Sequence, residues 1–498
     1  MRKFLLLLLL AVVSTGRVAA DEVTPASALH VAQSVLGDVT RGGDIVVAWD
    51  SNNLAVTRSG NDAPSFYVVA MESGRGFVVV AGDDALAPIL AYSFDYPAPD
   101  IHSMHPALEG WFRYVDSAVR YVRLNNIYAD SSTVAQWAYP AVAKESIMLN
   151  TARWSQGEPY NRYCPMDGDY RSLTGCAQTA MAVIMHYYRW PEAATGVTEP
   201  FTTMTKVIDV SSRDLNHAYD WDNMLEEYIE GEYSDAEGDA VAVLMADLGH
   251  SFQADYSSIG TAAIPNGKAM YENYGYSPSC FYAMRDYYTA EAWNELLRSE
   301  IEANRPIFYS AYTADEAGHA FVLDGFDDND HFHVNWGWGG MSDGYYQSAA
   351  LNPEVLGIGS GMGGYNYLQS ALTQIQPPTD KSTHTAHLHL NKAIIPGAVT
   401  VMSGNETKVT ASFYNCGLRS FTGEVAAALY DANDSLCVIL STKQLKALTE
   451  LTGGTQGATF KFTLPTDLTS GTYRLYMVHK EEGTTEYIKM NAPVNMPN

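Results

Sequence analysis

Basic residues are scarce: 30 lysines and arginines stand against 57 aspartates and glutamates in 498 residues, a formal charge of -27. So acidic a chain repels phosphate, which excludes nucleic acid and anionic membrane as partners and favours solubility. Apolar runs of membrane-spanning length are also missing. Phe4 to Val13, behind Met1-Arg2-Lys3, is too short to cross a bilayer. With Val18-Ala19-Ala20 ahead of Asp21 it reads as a secretory signal over residues 1–20, cut after Ala20, and no cysteine follows the cut to take a lipid anchor. The protein is expected to be secreted, in the periplasm or the extracellular space, with no membrane span. Cysteines number only five, Cys164, Cys176, Cys280, Cys416 and Cys437. An odd count in an exported chain leaves at least one free thiol, and whether Cys416 and Cys437 pair stays open. His384, His387 and His389 crowd together without cysteine or acidic company, and His331, His333 and His186 give no better set, so no metal and no cofactor are expected.

What is present is a cysteine at a helix start. After Thr174-Gly175-Cys176, the residues Ala180, Met181, Val183, Ile184, Tyr187 and Tyr188 recur at helical spacing, and Pro191 ends the run. In that first turn the free backbone N–H groups and the helix dipole favour the thiolate, the nucleophilic form. Taken alone, Cys176 is equally a buried structural thiol. Downstream, Gly318-His319-Ala320-Phe321-Val322 and His331-Phe332-His333-Val334-Asn335 flank the polar turn Asp327–Asp330 and read as a β-hairpin. Folding it returns Asn335 beside the strand that begins at His319. His319 lies 319 − 176 = 143 residues after Cys176, within the roughly 130–150 residues that separate nucleophile and histidine in papain-like proteases. The order Cys, His, Asn supplies a nucleophile, a general base and an orienter.

Length and 47% hydrophobic content suffice for two or three domains after the signal. Residues 21–140 read as a small α+β unit: a helix from Pro25 to Leu36, a hairpin of Phe66–Ala70 with Phe77–Ala81, and a helix from Pro106 to Asn126. The segment Ala129 to Leu149 is polar at first and contains Pro140 and Lys144. Residues 141–378 hold the Cys and His motifs, with helices near Ala236–Leu248, Gly267–Tyr274 and Ala290–Glu302. Pro377-Pro378 marks a boundary, and residues 381–498 carry short strands at regular intervals, which suggests a β-sandwich of immunoglobulin type.

The segments Gln156-Gly157-Glu158-Pro159-Tyr160-Asn161, Thr174-Gly175-Cys176, Tyr219-Asp220-Trp221-Asp222-Asn223, Gly318-His319-Ala320-Phe321-Val322, His333-Val334-Asn335-Trp336-Gly337-Trp338-Gly339-Gly340 and Ser342-Asp343-Gly344-Tyr345 together resemble the streptopain family of secreted bacterial cysteine proteases. The resemblance covers roughly residues 140 to 376. It implies an α+β, papain-like catalytic domain, with Cys176 as nucleophile and His319 as general base and acid. It also makes Gln156 a side-chain donor to the oxyanion beside the Cys176 N–H. The gap from Gln156 to Cys176 is 176 − 156 = 20 residues, longer than in classical papain relatives, and no residue intervenes between Asn335 and Trp336 as one does there. Asn335 therefore orients His319, or Trp336 walls it in. Gly318, Ser258, Gly260 and Trp336 are the implied substrate contacts; the glycines from Gly357 to Gly364 read as a mobile loop edging the cleft or as a plain linker turn. Residues 21–140 become an inhibitory propeptide covering the cleft, with the activating cut between Ala129 and Leu149. Expected partners are protein or peptide substrates and the chain's own propeptide. Rivals are a papain-fold acyltransferase and a non-catalytic adhesin or inhibitor.

Overall fold

The computed structural model describes residues 21–37, 44–54, 63–104, 106–141, 145–312, 318–347, 367–379, 382, 384–450 and 456–494. The expected signal over 1–20, Lys144 in the expected cut region and the stretch Gly357–Gly364 lie outside the described residues.

Helix α1 (Pro25–Leu36) starts where Thr24 accepts the N–H of Ser27, and it buries Ala28, Val31, Ala32 and Val35. Four antiparallel strands follow, β1 (Ile45–Asp50), β2 (Phe66–Met71), β3 (Phe77–Ala81) and β4 (Ile89–Ser93). Strand side chains alternate, so Val69, Val78 and Val80 meet α1 while Phe66, Val68, Phe77 and Val79 face the opposite way. That second face is closed by Leu108, Trp111, Phe112 and Val115 of α2 (Pro106–Asn125). The segment expected to carry the activating cut holds helix α3 (Ser131–Ala138), capped by Asp130 accepting from the N–H of Thr133, and strand β5 (Glu145–Met148). α3 buries none of its residues, so it has no apolar stripe to announce it.

The central part contains α4 (Cys176–Tyr188), α5 (Asp235–Ser251), β6 (Phe281–Met284), α6 (Ala290–Glu302), β7 (Ile307–Tyr312), β8 (Gly318–Asp327), β9 (His331–Asn335), β10 (Gly344–Gln347) and β11 (Tyr367–Thr373). α4 is buried without interruption from Ala177 to His186. α5 opens on a reciprocal capping box between Ser234 and Glu237. The strands do not form a sheet of their own. One sheet runs β1-β2-β3-β4-β10-β9-β8-β7-β11-β6, with β5 paired to β8. The joint between its halves is the antiparallel pair β4–β10, with Tyr92 opposite Tyr345 and Ala91 opposite Tyr346.

Beyond residue 384 two four-stranded sheets lie face to face. Val409, Phe413 and Phe460 of one share a core with Phe421, Val425 and Met477 of the other. This unit is docked hard against the central part. Tyr414, Cys416 and Leu418 belong to the same apolar cluster as α4, the N–H of Tyr282 donates to the Cys416 carbonyl at 2.8 Å, and the His387 ring stacks on Phe281 at 3.9 Å.

Candidate active site

The turn into α4 is built on Gly175, whose φ of +96° belongs to the region that favours glycine. A Cβ there would lie 2.7 Å from Gln178 Oε1 and 2.8 Å from the Thr261 carbonyl oxygen. Thr179 ties the turn down by donating to the Gly175 carbonyl at 2.9 Å. Cys176 is thereby presented at the first position of α4, partly buried. The helix start was expected to depress its pKa. Instead burial pushes the thiol up, and the N–H groups of Ala320, Ala177 and Cys176 itself only partly offset it.

Two segments remote in sequence meet this turn. The N–H of Thr174 donates to the Gln156 carbonyl at 3.1 Å, which closes the 20-residue gap and brings the Gln156 backbone two residues from Cys176. On another side, Leu173 N–H donates to the Ser257 carbonyl at 3.0 Å and the Thr261 hydroxyl to the Leu173 carbonyl at 2.7 Å. Ser258 and Gly260 thus lie on a loop fastened to the Cys176 turn. Asp167 holds that loop by accepting from both the N–H and the hydroxyl of Ser258, at 2.9 and 2.8 Å.

His319 is the second residue of β8, paired across to Ala311. Its neighbour Gly318 is exposed, and a Cβ there would strike the Tyr312 ring at 2.8 Å. The hairpin β8–β9 is as expected, but its ladder ends at Val322 opposite Asn335, three residues short of His319. The side chain of Asn335 is committed elsewhere: Nδ2 donates to the Thr151 hydroxyl at 3.0 Å and the Ala152 carbonyl at 2.9 Å, and Oδ1 accepts from Gly337 N–H at 3.1 Å. It is the Trp336 carbonyl that lies 3.2 Å from His319 Nε2. A carbonyl can only accept, so this contact places the proton on Nε2 and makes Nδ1 the acceptor nitrogen of the ring. The direct orienting amide expected of Asn335 is therefore replaced by a main-chain carbonyl. Asn335 still acts on it, because Gly337 N–H and Trp336 C=O belong to one planar peptide and point in opposite directions.

Trp336 was also expected to touch substrate. It is 1% exposed, its ring stacked on Trp338 at 5.2 Å and its indole N–H donating to the Ser342 carbonyl at 3.1 Å. It is a buried support, and the ring facing His319 more closely is Trp338, at 5.1 Å. The orienting carbonyl was invisible in the sequence because every residue carries one. Asp343 was quoted there as part of a matching segment but given no role.

The N-terminal part approaches from the histidine side. His331 Nε2 is 3.1 Å from the Ile89 carbonyl, Tyr92 donates to Asp327 at 3.1 Å, and Trp111 meets Tyr346 edge-on at 5.2 Å. Tyr96 fits over Gly340, where a Cβ would lie 2.8 Å from its ring. A propeptide covering the cleft was expected. The contacts just named fall on the end of β8, on β9, on β10 and on the glycine loop after Trp336.

Comparison with known proteins agrees with this architecture. The peptidase C10 family model matches residues 154–346, and the Spi protease inhibitor model matches residues 20–119. Streptopain of Streptococcus pyogenes is 32% identical over 355 residues, covering 66% of this chain and 84% of streptopain. This chain belongs to the peptidase C10 family. The thiol protease/hemagglutinin PrtT of Porphyromonas gingivalis is also 32% identical, over 64% of this chain and 37% of that protein. A fragment of prointerpain A from Prevotella intermedia superposes with a TM-score of 0.52 at 26% identity, covering 65% of this chain and 98% of the fragment. Peptidase C10 membership with an inhibitor-like N-terminal domain makes the chain a cysteine peptidase of zymogen type. Among the described residues, no helix is long and apolar enough to cross a membrane.

Proposed function

We propose that the chain is a secreted cysteine endopeptidase in which Cys176 attacks the peptide carbonyl and His319 carries the proton. The observation that carries this reading is the Trp336 carbonyl 3.2 Å from His319 Nε2, which makes Nε2 the donor nitrogen and Nδ1 the one that can take the thiol proton. The thiolate adds to the carbonyl carbon. The Cys176 N–H and the Gln156 side chain, drawn in through the Thr174 bond, stabilise the oxyanion. His319 then returns the proton to the departing amine, leaving a thioester on Cys176. Water deprotonated by His319 cleaves the thioester and restores the thiol.

Residues 1–20 serve as the signal, 21–140 as the propeptide, 141–378 as the catalytic domain, and 381–498 as an immunoglobulin-type sandwich. Activation cuts between the end of α3 and the start of β5, because β5 is already hydrogen-bonded into the catalytic sheet through β8. Gly318, Ser258 and Gly260 border the substrate path. The acyltransferase alternative uses the same residues but ends on an amine acceptor.

The test is incubation of residues 21–498, and of a Cys176→Ala version, with thiol reductant and casein. Wild type is expected to shorten from its N-terminus and yield casein fragments with free carboxylates, while the variant stays whole and inert. Amidated or cross-linked products would select the acyltransferase. Equal behaviour of the two proteins would overturn the nucleophile.

A further inference from the structure

The Trp336 carbonyl can hold His319 only if the backbone on both sides of residue 336 is fixed. On one side, Asn335 Oδ1 holds the N–H of Gly337. The other side rests on Asp343. Its Oδ1 accepts the N–H of Trp336 at 2.9 Å, and its own N–H donates to the Gly340 carbonyl at 3.1 Å, closing the glycine loop into a ring. The adjacent Ser342 carbonyl takes the Trp336 indole N–H and the Tyr346 hydroxyl, at 3.1 and 2.7 Å. Ser342 and Asp343 thus grip residue 336 by its ring and by its main chain.

We infer that Asp343 is a positioning residue for catalysis: it fixes the Trp336 peptide and, through that carbonyl, the tautomer and aim of the His319 ring. A carboxylate is an expensive anchor at this place. Asp343 is 2% exposed, and burial pushes its pKa up to about 7, an effect that Asp324 reinforces and that His333, the Trp336 N–H and Arg153 oppose. Packing alone would be served by an uncharged side chain without that cost. What the carboxyl adds is an acceptor for one particular N–H, two bonds from the carbonyl carbon that orients the base.

The inference rests on the cysteine-peptidase reading, so the test begins with propeptide-free wild type, whose thiol-dependent turnover of a peptide must be present. Its absence sinks that reading, not this one. Asp343→Asn, which keeps an oxygen for the Trp336 N–H, is expected to retain kcat within about threefold. Asp343→Ala is expected to lose roughly 10- to 100-fold in kcat with KM changed less than about twofold, the scale of a small misplacement of a catalytic group. It should also move the limb of the pH–rate profile that reports His319. If Asp343→Ala fails to fold, Asp343→Glu replaces it, since one added methylene displaces the oxygen while keeping the charge. The same kcat loss and limb shift are then expected. Equal losses in Asn and Ala, or an unmoved pH limb in the impaired variant, would reduce Asp343 to a structural role and overturn the proposal.

Discussion

At the residue scale, the site is a problem of holding three groups still: a sulfur, an imidazole and a carbonyl. The sulfur is fixed by glycine's freedom at position 175. Gly175→Ala would force a side chain into the left-handed region and against the Thr261 carbonyl, at a cost of about 1–3 kcal/mol. Urea unfolding should show that loss, with activity falling further because Cys176 is the next residue. An alanine variant of unchanged stability and rate would mean that the turn relaxes freely. Cys176 and His319 were legible in the sequence because their chemistry is written in their side chains and their neighbours mark a helix start and a strand start. The orienting carbonyl of Trp336 was not, and neither was the loss of the direct role expected of Asn335. Both follow from where the β8–β9 ladder stops, which depends on register and not on composition.

At the element scale, periodicity found α1, α4 and α6 over the same residues that the structure shows, and the β2–β3 and β8–β9 hairpins with their turns. It missed α3, which buries none of its residues fully and packs on the neighbouring cores through Trp137 without a repeating apolar stripe. It also missed how the last 110 or so residues attach. Their strands were readable one by one, but docking relies on main-chain and ring contacts: the Tyr287 hydroxyl donates to the Leu390 carbonyl at 2.5 Å, and Tyr414 to Tyr287 at 2.8 Å. At and behind this contact lie half-buried His387 and buried His389 and His479, with pKa values pushed down to about 4, 3 and 4 by burial and by neighbouring histidines, for His387 by His384. Tyr287, Tyr414, Cys416, Asp286, His384 and Glu481 lie around them. Because the folded values are below the ordinary 6.5, the unfolded chain binds more protons at mildly acidic pH. Stability is therefore full above about pH 6.5 and declines as pH falls toward 4, by about 1.4 kcal/mol per pH unit for each histidine. Thermal unfolding between pH 7 and 4.5 should show that decline, and replacing His387 with Phe should flatten it. A profile as steep in that variant would place the titrating groups elsewhere.

At the scale of the whole molecule, three units are fastened end to end along one sheet and one shared core. The N-terminal unit reaches the site through β4 on β10, the strand that begins one residue after Asp343. A Cβ at Gly344 would lie 2.7 Å from the Tyr92 carbonyl, so this joint is closely fitted. Edge pairing of this kind leaves little trace in sequence, since it is made by backbone groups that all residues share. The C-terminal unit closes the opposite side around Tyr282 and Phe281 and belongs to the enzyme's framework. Separating it should expose Tyr414, Cys416 and Leu418 together with their apolar partners around α4.

The central claim is the proposed one, that Cys176 is the nucleophile and that residues 21–140 keep it from working with His319 until they are removed. Its most direct measurement is the rate of alkylation of each cysteine by limiting iodoacetamide, mapped by mass spectrometry at pH 6.5 before and after removal of that unit. All five thiols are free, and Cys437 is exposed, which makes it the internal reference. The expected result is that Cys437 reacts faster than Cys176 in the full chain. In the processed protein the order reverses, and loss of activity follows the label on Cys176. A Cys176 that stays slower than Cys437 after processing, or whose labelling leaves activity intact, would contradict the account.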